Sequence, residues 1–106
     1  MTPPIVVDEN GDVSFYPSVE AAARALEPID VKNNEYIAYD SEGFILQLAF
    51  SGPKVIITGH ASATPASGAL TEVLQSFWER AAATPAPAVS LNHLVTQSVE
   101  RFGYAT

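Results

Sequence analysis

The sequence predicts an α+β fold: an antiparallel sheet of about five strands with helices packed on one face. Three observations carry this. Short β-prone runs broken by tight-turn residues fill 4–16 and 36–58. A capped, apolar-periodic segment lies between them. Two longer segments of helical periodicity close the chain. The element order reads ββα–βββ–αα, and the 106 residues suit a single α+β domain, 1–106.

Each element has its own signal. Ile5-Val6-Val7 and Val13–Tyr16 flank Asn10-Gly11, a strong hairpin turn signal, so a β-hairpin is expected over about 4–16. Ser18 is placed to cap a helix, with Glu20 near its positive end. Val19, Ala22, Ala23 and Leu26 form its apolar stripe, and Pro28 ends it at Glu27. Residues 29–35 read as a connector with a turn at Asn33-Asn34. Tyr36–Tyr39 reads as a strand, and Asp40–Gly43 as a hairpin loop. The nearly continuous apolar run Phe44–Phe50 predicts a central strand. Ser51-Gly52-Pro53 turns the chain into a last strand, Lys54–Thr58.

The C-terminal half is helical. Leu70, Val73, Leu74, Phe77, Trp78 and Ala81 repeat at helical spacing, with Thr64 or Ser67 as the cap. The Pro/Ala stretch 83–89 is a spacer. Ser90 then caps a last helix with an apolar face of Leu91, Leu94, Val95, Val99 and Phe102, ended by Gly103. As an alternative to packing on the sheet, these two helices project and form a homodimer through Trp78 and Phe102.

Composition narrows the function classes. There is no cysteine, which excludes disulfides, thiolate metal sites and cysteine nucleophiles. No run reaches the roughly 18 apolar residues of a membrane span, and MTPPIVVDENGD lacks the features of a signal peptide, so no membrane association and a cytoplasmic location are expected. The net charge of −7 is uneven. Residues 1–42 carry all of it, with nine acids against Arg24 and Lys32; the remainder balances. Such a surface repels phosphate, so no nucleic acid is expected as a partner, and it steers basic molecules inward.

Catalytic and metal motifs are weak. Asp8, Asn10 and Asp12 match the first, third and fifth positions of a calcium loop. Val13 and Val19 then stand where glycine and glutamate are required. No helical histidine pair occurs, so no metal and no cofactor is expected. His60 follows a strand in a Gly/Ser/Thr-rich loop, but no nucleophile-elbow pattern supports it. Gly59–Gly68 lacks the spacing and lysine of a phosphate loop. Aromatic residues beside charge are a stronger signal, because aromatics are enriched at binding hot spots. Glu35, Tyr36, Tyr39, Asp40 and Glu42 form such a group and are the candidate partner-binding residues.

The run SVEAAARALEPIDV–NNEYIAYDSEG resembles a group of small bacterial α+β proteins. They share a helix, an EPIDV connector and an EY..YD.EG hairpin. The resemblance covers about residues 11–46 and looks like that of immunity partners of secreted toxins. It implies a non-catalytic module binding a protein partner, such as a basic toxin, through an acidic face. Lysine at Glu35, Asp40 and Glu42 is then expected to weaken binding without unfolding. The alternatives are a small-ligand or regulatory domain, with a pocket between sheet and Trp78 helix, and last a His60-dependent enzyme.

Overall fold

The computed structural model describes residues 1–105. Asn10 and Gly11 take φ of 51° and 95°, the two positive values a type I′ turn needs. They join β1 (Ile5–Glu9) to β2 (Asp12–Tyr16) in unbroken antiparallel register. Asp8 Oδ1 accepts the Gly11 N–H at 2.8 Å and holds the turn. The other edge of β1 pairs antiparallel with β3 (Tyr36–Tyr39), so the sheet order is β2-β1-β3. Ile5, Val6 and Val7 are all buried. Successive strand side chains point to opposite faces, so both faces of β1 must be covered.

One cover begins with α1 (Val19–Ala25). Ser18 Oγ accepts the Ala21 N–H at 3.0 Å, the expected N-cap. Ala22 and Leu26 face the core. The proline that ends this helix also starts another. Glu27 is extended, as a residue before proline prefers, and Pro28 occupies the first turn of α2 (Pro28–Lys32). Proline suits that turn because its missing N–H has no intrahelical partner there. Part of the expected connector is therefore helical, and it buries Val31. Asn34, at φ 55°, makes the turn into β3.

The α+β class and antiparallel pairing hold throughout, but the five strands divide into two sheets. β4 (Leu46–Ser51) and β5 (Lys54–His60) form a separate hairpin, linked to β3 only by a bridge between Tyr39 and Ile45. The register slips between Gln47 and Leu48. The expected central position of 44–50 is thus corrected: β4 has a single strand partner, and Gln47 and Phe50 are exposed. The apolar run serves instead to fold the hairpin over the first sheet. Leu46, Leu48, Val55 and Ile57 meet Ile5, Val7, Ala38, Ala22 and Val31 in one core.

The opposite face of β2-β1-β3 carries α3 (Ser67–Ala82) and α4 (Leu91–Phe102). Val6, Val13, Phe15 and Tyr39 pack there with Leu70, Leu74, Trp78, Leu94 and Val95. Helices therefore cover both faces of the sheet rather than one. Neither expected cap of α3 acts: Ala66 is the N-cap residue and makes no side-chain hydrogen bond. Ser90 sits at the N-cap of α4, also without one. Trp78 is 8% exposed, and Phe102 stacks on Phe15 at 6.4 Å and meets Trp78 edge-on at 5.2 Å. Of the two residues expected to support a homodimer, Trp78 is buried within the chain and Phe102 is half-buried. Trp78 Nε1–H donates to the buried Ser98 hydroxyl at 2.8 Å, which donates to the Leu94 carbonyl at 2.6 Å.

Candidate functional site

The five candidate residues lie at the two ends of β3 and just beyond them, and the structure does not bring them together. Glu35 precedes β3 and Asp40 follows it; at about 3.3 Å per strand residue they stand roughly 16 Å apart. Two of the five are buried. Tyr39 is 3% exposed and belongs to the α3-side core, and Asp40 is 1% exposed. Alternation along β3 dictates the first: Ala38 faces the α1 side and Tyr39 the α3 side.

Asp40 closes its own loop. Its Oδ1 accepts the Glu42 and Phe44 N–H groups, each at 3.0 Å, and its Oδ2 accepts the Thr2 N–H at 3.1 Å. His60 Nε2 lies 3.5 Å from Oδ2, with the imidazole stacked on Phe44 at 4.1 Å. An aspartate spent on three amides is a loop cap, so lysine at Asp40 would unfold the turn rather than probe a surface. Glu42 is exposed and accepts the Thr2 hydroxyl at 2.8 Å. His60 therefore stands beside the Asp40 carboxylate, not that of Glu42.

Glu35 and Tyr36 do share a surface, with residues that sequence reasoning did not single out. The Glu35 N–H donates to the Asp30 carbonyl at 2.9 Å. The Tyr36 hydroxyl donates to Asp30 Oδ2 at 3.1 Å and accepts the Glu27 N–H at 3.4 Å. Strand register sets Glu9 opposite Tyr36. The hydrogen bond with Asp30 raises the Glu35 carboxyl above its ordinary range; the Asp30 charge adds to this, with burial and Glu9 behind it. Partial burial raises the Tyr36 phenol, against the lowering effect of the Glu27 N–H. Among the described residues, the one ion-pair contact within 4.0 Å is His60–Asp40, so no lysine or arginine neutralises this cluster. Asp30 was hidden because it lay in a presumed irregular connector. Pro28 at the head of α2 was the available signal for its placement.

A second concavity, of about 360 Å³, runs between the β1–β3 face and α3; Asp8, Ile37, Tyr39, Glu72 and Arg80 are among its lining residues. No helix among the described residues is long and apolar enough to cross a membrane. No family model, no curated protein and no solved structure matches the chain.

Proposed function

We propose that the chain is a non-catalytic protein-binding module of the cytoplasm, which docks a basic protein surface on the Glu9–Asp30–Glu35–Tyr36 end of its sheet. The observation that carries the reading is the uncompensated carboxylate cluster. The Glu35 N–H ends on the Asp30 carbonyl and the Tyr36 hydroxyl on the Asp30 carboxylate, the Asp30 charge raises the Glu35 carboxyl, and among the described residues no lysine or arginine lies within ion-pair distance. Like charges so placed repel at neutral pH, and an arriving lysine or arginine relieves that repulsion while gaining its own attraction. Tyr36 adds an aromatic side chain with a fixed hydroxyl, the kind of residue that anchors interfaces. The EPIDV and EY..YD.EG motifs supply Asp30, Glu35 and Tyr36 together. Their resemblance to immunity-type proteins makes a basic toxin the partner class, and the acidity of the same surface disfavours nucleic acid.

Capture from a lysate of the source organism tests this. Wild type is compared with the triple variant Glu9→Lys, Asp30→Lys, Glu35→Lys at low and moderate salt. A stoichiometric basic protein retained by wild type and lost by the variant is expected. Equal retention by both proteins overturns the acidic-face reading.

A further inference from the structure

The concavity beside α3 lies on the sheet face opposite Tyr36, and nothing in the acidic-face reading uses it. Strand pairing puts Asp8 opposite Ile37 and Val6 opposite Tyr39. Val6 and Tyr39 are in the α3-side core, and alternation brings Asp8 and Ile37 to that same face. From α3, Glu72 and Val73 supply the facing wall. Ile37 is 45% exposed although it lies on a core-facing row, and β3 is an edge strand of the sheet. Arg80 closes one end, where its guanidinium donates to the Gly11 carbonyl.

Tyr39 marks this groove as more than a crevice. The residue is 3% exposed. Its phenol is shifted upward by burial and by the Asp8 charge, with no hydrogen bond contributing. Among the described residues no buried side-chain oxygen or nitrogen lacks a partner. The hydroxyl, unbonded within the chain, must therefore be the tip through which the buried ring reaches solvent in the groove. A buried ring that presents a free hydroxyl near the Asp8 carboxylate, in a groove that Glu72 also lines, is an acceptor set awaiting a donor. Asp8 spends Oδ1 on the Gly11 N–H and keeps Oδ2 free.

We infer that this groove binds a primary alkylammonium group, with the ammonium held by Asp8, Glu72 and the Tyr39 hydroxyl and the methylene stem lying between Ile37 and Val73. Three acceptors match the three donors of an ammonium, and the apolar walls match its stem. A lysine side chain of a protein and a free alkylamine share this chemistry.

The test is an amide NMR titration of the intact chain with n-butylammonium chloride, with n-butanol as the neutral control of the same stem. Saturable shifts at Asp8, Ile37–Tyr39 and Glu72–Val73 are expected, with n-butanol at least about tenfold weaker, the worth of a charge-assisted hydrogen bond. Glu72→Gln, at an exposed helix position, and Tyr39→Phe, which removes only the hydroxyl, are each expected to weaken binding severalfold. Nα-acetyl-lysine methylamide separates the sources: affinity equal to n-butylammonium assigns a protein lysine, and affinity lower by about tenfold assigns a free amine. Absence of saturation, equal binding of n-butanol, shifts confined to Asp30–Tyr36, or unchanged affinity in both variants overturns the inference. The last two outcomes leave the Glu35 surface untouched.

Discussion

Replacing Asp40 by alanine separates the loop cap from the binding surface. In the folded chain three backbone N–H groups end on the Asp40 carboxylate, those of Glu42, Phe44 and Thr2. Each is a hydrogen bond to a charged acceptor, worth about 1.5–3 kcal/mol. Thr2 and Glu42 are exposed and regain water when the carboxylate goes, whereas Phe44 is half-buried. Full loss at Phe44 and partial loss at the other two total about 3–4 kcal/mol. Against a total of about 5–15 kcal/mol for a domain this size, that is a large fraction. It corresponds to a fall in Tm of roughly 12–30 °C. Urea unfolding followed by Trp78 fluorescence reads it directly, with the slope m unchanged. Asp40→Asn keeps an Oδ1 acceptor for Glu42 and Phe44 and is expected to lose less than half as much. The cap assignment is refuted if Asp40→Ala loses less than about 1 kcal/mol, or if asparagine is as damaging as alanine.

Other outcomes follow from single contacts. Ser98→Ala strands the buried Trp78 N–H and is expected to lose about 1–3 kcal/mol, but much less in a Trp78→Phe background; a double-mutant cycle in urea measures the difference. Ala83 ends α3 in the left-handed region at φ 53°. Ala83→Gly is therefore expected to stabilise by about 0.5–1 kcal/mol in thermal unfolding. Glu35 has a raised carboxyl in the folded chain, so its contribution to stability is present below its unfolded value of 4.5 and is lost as pH rises through the folded value. Glu35→Gln removes that loss, so variant and wild-type Tm curves should diverge in favour of the variant as pH rises past 4.5, and parallel curves would exclude the repulsion.

Local signals were legible in the sequence. Asn10-Gly11, the Ser18 cap and the stripes Leu70–Trp78 and Leu91–Phe102 each specify an element through nearby residues, and each element forms. Long-range choices were not. Short loops suggested that 36–39 pairs along its length with 44–50, yet β3 pairs with β1, some thirty residues earlier. Ile5-Val6-Val7 did carry a clue: a strand apolar at successive positions is buried on both faces, which already argued against helices on one side. The site was hardest to read. Tyr36 and Tyr39 look alike in sequence, but their spacing of three puts them on opposite faces of a strand, one at the surface and one in the core. Asp40 and Glu42 read as partner-binding acids of a hairpin loop, and only the closed loop shows that Asp40 accepts three amides.

The most direct test of the acidic-face proposal is the association rate with the captured basic partner, measured as a function of ionic strength. Wild type is expected to associate more slowly as salt rises, and the Glu9→Lys, Asp30→Lys, Glu35→Lys variant to associate at least about tenfold more slowly at low salt while still unfolding cooperatively in urea. A rate that ignores both salt and the three lysines would place the partner elsewhere on the molecule and contradict the proposal.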